Sequence, residues 1–144
     1  MSVPAGWRLR TMTPADYGEV IALWRACEGI GLTEADTPDA IGAYLERNPG
    51  MSFVAEAGGR IVGAVLGGHD GRRGYLHHLA VQPAWRRRGL GRALTDAVLA
   101  RLRAAGMGKC NLFLYGTNET GRAFWTKHGW DSRGDLVLMQ KKLG

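Results

Sequence analysis

One stretch of this chain tolerates few ways of folding: Tyr75-Leu-His-His-Leu-Ala-Val-Gln-Pro-Ala-Trp-Arg-Arg-Arg-Gly-Leu-Gly-Arg92. Its β-compatible start is closed by Pro83, which has no N–H to donate to a ladder. Three arginines and two glycines follow, and from Gly91 to about residue 104 Leu94, Val98 and Leu102 recur at helical spacing. Strand, basic loop and helix are therefore predicted in that order. Glycines let a backbone approach a ligand closely, and the N–H groups of a first helical turn are free. The helix dipole adds about half a positive charge at that end. Arg86, Arg87, Arg88 and Arg92 add charge-assisted hydrogen bonds. The segment is an anion trap, and a pyrophosphate is the group of matching size and charge.

Charge supports this reading. The net charge is +6. Residues 57–95 contain Arg60, Arg72, Arg73, Arg86, Arg87, Arg88 and Arg92 against Asp70 alone, so the whole excess lies there and the remainder of the chain is balanced. A local excess suits one anionic ligand. Nucleic acid would want an extended basic face met by a series of aromatic stacking platforms or a recognised fold motif, and apart from the single ring of Trp85 neither appears around these arginines. No GxxxxGK[ST] and no GxGxxG with a following acid is present, which excludes the two common nucleotide cradles. Cys27 and Cys110 are isolated, so neither a disulfide framework nor a metal site is expected. With 144 residues, a single domain over 1–144 is expected. No apolar run approaches the ~18 residues of a membrane span, and the expected address is cytoplasmic, with no membrane partner.

The rest of the chain reads as an alternation of elements. Trp7 to Met12 alternates as a strand. Thr13-Pro14-Ala15-Asp16 and Thr37-Pro38-Asp39 are helix starts, with Thr as N-cap and Pro at the first helical position. Met51–Ala57 and Arg60–Gly67 flank Gly58-Gly59, a two-residue hairpin turn. Asp70–Gly74 turns into the strand Tyr75–Gln82. Cys110–Tyr115 is a further strand, and Asn118 caps a helix to about His128. Trp130–Arg133 and Leu136–Lys142 complete the pattern as two short strands. The order is β-α-α-β-β-β-α-β-α-β-β. This is a mixed α/β (α+β) fold with a largely antiparallel central sheet flanked by helices.

Arg86, Gly89 and Gly91 match the acyl-CoA signature of the GNAT N-acetyltransferase superfamily: Arg or Gln, two residues, Gly, one residue, Gly or Ala. The chain resembles that superfamily further in Leu79–Pro83, which looks like the strand before the loop, in Asn118–Trp130, and in the order of its elements. The resemblance implies acetyl transfer from acetyl-CoA, as co-substrate, to an amine. It implies that Leu79, Ala80 and Val81 meet the pantetheine arm. It implies too that Arg86, Arg87, Arg88, Gly89, Leu90, Gly91 and Arg92 hold the pyrophosphate, with Asn118 contributing from its helix start.

The chemistry needs a base, because a lysine-like amine has a pKa of about 10.4 and is mostly protonated at neutral pH. His77 is the first candidate, since a histidine near 6.5 is mainly neutral at pH 7. Strict alternation puts Tyr75, His77, Leu79 and Val81 on one face and turns His78 to the other. A backbone amide near Leu79 can serve the oxyanion. For the departing thiolate, similar enzymes place a tyrosine beside the phenylalanine of the last helix, where this chain has Trp125, which cannot act as an acid. Tyr115 is the substitute of choice, with Tyr75 or water as alternatives. Glu34, Asp36 and Asp39 either draw a cationic acceptor or form a solvated acidic loop. The expected acceptor is a small-molecule primary amine. A protein N-terminus or lysine is the alternative, as is a non-catalytic acyl-CoA sensor. Monomer and homodimer are both compatible with the sequence.

Overall fold

Of the two helix starts expected, the one at Thr37 has its side-chain cap in place, whereas Thr13-Pro14 opens a 3-10 turn and makes no side-chain cap bond. Thr37 accepts the Ala40 N–H at 3.2 Å, and Thr33 and Asp36 close a reciprocal capping box before it. Helices α1 (Tyr17–Ala26) and α2 (Pro38–Arg47) follow, each preceded by a 3-10 turn, at Pro14–Asp16 and Glu34–Asp36. The strands are β1 (Arg8–Thr11), β2 (Phe53–Ala57), β3 (Arg60–His69), β4 (Gly74–Val81) and β5 (Cys110–Asn111), and the remaining helices are α3 (Leu90–Ala104) and α4 (Glu119–Lys127). The computed structural model describes residues 6–144, in one unit that ends at Phe113 and a second from Leu114 to Gly144. No helix among the described residues is long and apolar enough to cross a membrane.

In the first unit the strands lie in the order β1-β2-β3-β4-β5, antiparallel except for the parallel pair β4·β5. Gly58 and Gly59 both have positive φ, 57° and 79°, as the two-residue β2–β3 turn requires. Helices cover both faces. Trp24, Leu45, Ala64, Leu66 and Ala80 join one buried cluster on the face of α1 and α2. On the other face Leu94, Val98 and Leu102 of α3 press on Gly63, Gly67 and Gly74. A Cβ at Gly67 would stand 2.6 Å from Val98 Cγ1 and closer still to the Met51 carbonyl oxygen. Gly67→Ala is therefore expected to cost about 1–3 kcal/mol. Urea unfolding should show this as a lower midpoint at unchanged slope, and an unchanged midpoint would contradict the close α3–β3 packing.

Beyond α3 three strand expectations are corrected. Helix α4 starts at Asn118, whose Oδ1 accepts the Gly121 N–H at 2.8 Å, and stops before Gly129 at φ 89°. The strands expected at Trp130–Arg133 and Leu136–Lys142 do not form, and β5 spans two residues instead of Cys110–Tyr115. Alternation makes a segment able to pair, but a strand exists only where a neighbour accepts its N–H and C=O groups. Leu136, Val137, Leu138 and Met139 are also consecutive rather than alternating, and all four are exposed.

Candidate active site

The site begins where β4 loses its outer neighbour. β5 pairs with it only at Gly74↔Cys110 and Tyr75↔Asn111. From Leu76 to Val81 that edge of β4 carries no strand among the described residues. The Gln82 N–H donates to the Val62 carbonyl at 2.8 Å. Ladder alternation then turns Ala80 toward β3, opposite Ala64, and turns the backbone groups of Leu79 and Val81 toward the open edge. Ala80 adds its side chain to the core.

The register slips between Ala64 and Leu66, so that His78 and Leu79 together face Val65. His78 has φ 54°, the left-handed conformation of a bulge residue. This overturns the alternation expected from the sequence. His77 lies opposite Leu66, on the face of α1 and α2, whereas Val81 lies opposite Gly63, which faces Leu94 of α3. His77 therefore does not share a face with Val81. His78, expected on the other side, also lies on the α1 face: its ring meets Trp24 edge-on at 4.8 Å, and its Nε2 is 2.8 Å from Asp36 Oδ1.

Asp36 is buried at 7% exposure and also accepts the Thr33 N–H at 2.9 Å. The Tyr17 hydroxyl donates to its carbonyl at 2.6 Å. Of the three acids considered for the acceptor, only Asp36 is built into the site; Glu34 and Asp39 are exposed. No local signal marked the pair, since its members are 42 residues apart. Asp36→Ala strips His78 and the Thr33 amide of a partner at once. Its expected cost is about 1–3 kcal/mol, measurable by thermal or urea unfolding, and wild-type stability would show that the pair holds nothing.

His77 stands among rings: Tyr75 at 6.1 Å, Phe113 at 6.1 Å and Tyr44 at 6.2 Å between centroids. Burial pushes its pKa below 6.5, the proximity of His78 adds to this, and Asp36 opposes it. The imidazole is neutral at pH 7.

Beyond Val81 a 3-10 turn, Pro83–Trp85, leads into Arg86, and Arg87 and Gly89 both take positive φ, 64° and 86°. Gly89 is the N-cap of α3 and brings no capping side chain. The first helical bond runs from the Ala93 N–H to the Gly89 carbonyl at 3.0 Å, leaving the amides of Leu90, Gly91 and Arg92 without an intrahelical acceptor. Two left-handed residues before a helix start form a nest of inward amides, a concavity suited to an anion. The arginines divide. Arg86 braces the loop, its Nε donating to the Val81 carbonyl at 3.1 Å and its Nη1 lying 3.4 Å from Glu28. Arg88 lies over Trp85 at 4.5 Å, and Arg92 is 3.7 Å from Asp96. Arg87 is exposed and makes no ion pair or side-chain hydrogen bond with the described residues.

Residues 18–130 match the Acetyltransferase (GNAT) family. The chain belongs to that family. An acetyltransferase of Sodalis glossinidius is 33% identical over 135 residues, covering 94% of each chain, and one of Yersinia enterocolitica matches equally over the same share. Among solved structures, Ard1 from Thermoplasma volcanium superposes with TM-score 0.74 at 26% identity, covering 86% of this chain and 82% of that one. The PaiA N-acetyltransferase of Thermoplasma acidophilum, solved with coenzyme A, gives 0.76 at 18% identity over 93% and 94%, and shows the same fold.

This GNAT chain is thus an acyltransferase, and its first unit brings together His77, Leu79, Ala80, Val81 and residues 86–92. Tyr115 and Asn118 belong to the second unit. There Tyr115 is 60% exposed, and the Asn118 side chain is engaged as the cap of α4. Trp125 packs edge-on against Phe124 and Trp130, a packing role rather than an acid–base one.

Proposed function

We propose that this protein transfers an acetyl group from acetyl-CoA to the primary amine of a small molecule. The observation that carries the reading is the open edge of β4 running into the nest of Arg87 and Gly89. The backbone groups of Leu79 and the Val81 N–H, which face the open edge, suit the amides of a pantetheine arm, the Val81 carbonyl being taken by Arg86, and the amides of residues 87–92 with Arg87, Arg88 and Arg92 suit its pyrophosphate. Arg86 serves by holding the loop and Leu90 by its backbone, because the Leu90 side chain is buried. Acetyl-CoA supplies an acyl group activated as a thioester.

His77 is the proposed base. A neutral imidazole on the partly buried face takes the amine proton, directly or through water. The amine nitrogen then bonds to the acetyl carbon, the carbon–sulfur bond breaks, and the departing sulfur takes a proton, for which Tyr115 is the proposed donor, while the second proton lost by the nitrogen returns to the phenolate, directly or through water. A backbone amide of the β4 bulge near Leu79 is the proposed oxyanion partner. The lack of long insertions favours a small acceptor over a polypeptide. Release of free thiol from acetyl-CoA across a panel of primary amines tests this. Amine-dependent release is expected, and acetyl-CoA binding with no release for any amine would leave a sensor instead.

A further inference from the structure

We propose that Tyr44, Tyr75, His77 and Phe113 form a subsite for a flat, uncharged aromatic group carried next to the acceptor's primary amine, a proposal that rests on the acetyltransferase reading above. The four rings come from α2, β4 and the segment that follows β5, and converge on one face. Tyr75 and His77 project from β4 with their planes parallel to within 1°. Phe113, two residues beyond the last β5 residue bonded to β4, is 6.3 Å from Tyr75 and 6.1 Å from His77, tilted 25° to each. Tyr44 reaches in from α2 and meets His77 edge-on at 75°. It can do so because Gly68 lies beneath it: a Cβ there would collide with the Tyr44 hydroxyl and stand 2.6 Å from Asn48 Cγ.

The patch begins where the strands cease to bond and contains the proposed base, so a group bound on it is held beside the reacting amine. It offers no charge to a ligand. Burial raises the Tyr44 phenol to about 12, and burial also keeps His77 neutral. Asp36, whose charge is felt at His77, is taken up by His78 and the Thr33 amide. The His77 ring has no hydrogen-bond partner among the described residues, and Phe113 is 57% exposed despite its apolar ring. Ring faces and edges at 6 Å spacing are what an additional aromatic ring stacks on.

An aromatic group beside a primary amine occurs in free arylalkylamines and in peptides that begin with an aromatic residue. Thiol release should be compared for phenylethylamine against hexylamine, and for a peptide beginning with Phe against one beginning with Ala. Each is run with wild type, Phe113→Ala and Phe113→Tyr, and the arm that shows a preference identifies the source. The wild type should prefer the aromatic member by about tenfold in kcat/KM. Phe113→Ala should abolish that preference and Phe113→Tyr restore it. Equal rates for aromatic and alkyl amines, or a preference that survives Phe113→Ala, would overturn the subsite while leaving acetyl transfer intact. Titration of the same amines in the presence of CoA separates the two ideas. Phe113-dependent binding of the aromatic amine without any turnover would support the subsite and defeat the acetyltransferase reading.

Discussion

Arg87→Glu/Arg88→Glu should bind acetyl-CoA at least about 100-fold more weakly than the wild type. Each arginine lost from a phosphate removes a charge-assisted hydrogen bond of about 1.5–3 kcal/mol, and two of these correspond to a factor of 100 or more. The substituted carboxylates add repulsion at the amides of the helix start, which favour anions. The fold should be untouched: both side chains are exposed, and among the described residues the only close partner of either is the Trp85 ring under Arg88. Calorimetric titration against acetyl-CoA, beside a melting curve of the same variant, separates lost affinity from lost structure. Wild-type affinity would move the pyrophosphate away from this loop. Raised salt should weaken the wild-type complex in the same direction, since the attraction is between exposed charges.

His77→Ala should lower kcat by roughly 10²- to 10⁴-fold, the usual contribution of a positioned base. The pH profile separates this from a packing defect. Burial disfavours the imidazolium, so the folded-state pKa lies below 6.5. Wild-type kcat/KM should therefore hold as pH falls to 6.5 and decline only below it. That acid limb should be missing in His77→Ala. Stability follows the same sign. The unfolded chain takes up the His77 proton first, so this contribution is complete above 6.5 and is lost as pH falls from 6.5 through the lower folded value. An unchanged kcat with the acid limb intact would assign the base elsewhere, His78 being the first alternative.

Much of this architecture is readable in the residues. Pro83 and Gly89 mark the end of the strand and the start of the helix because each interrupts regular backbone on its own chemistry, and Gly89 at φ 86° occupies the position where a Cβ would be strained. The cap at Thr37 and the Gly58-Gly59 turn are legible for a simpler reason, local chemistry with local partners, whereas the Thr33–Asp36 capping box in the acidic linker was not read. Neither was the β4 bulge. His78 adopts φ 54° without being glycine, and one added residue reverses the face of everything after it. An alternation count therefore misplaced both His78 and Val81. The Asp36–His78 pair and the ring cluster around His77 depend on the Glu34–Asp36 turn, α2, β4 and the segment after β5 meeting in space, which no spacing along the chain encodes. At the other end, Leu136–Lys142 has the composition of a strand, yet forms none, because pairing is a property of two segments.

Everything proposed for catalysis depends on the β4 edge and its loop accepting acetyl-CoA. The most direct measurement is titration of wild-type protein with acetyl-CoA, repeated with free CoA as competitor. Saturable binding displaced by CoA is the predicted result. No binding of either compound would contradict the account at its root and return the arginine loop to some other anion.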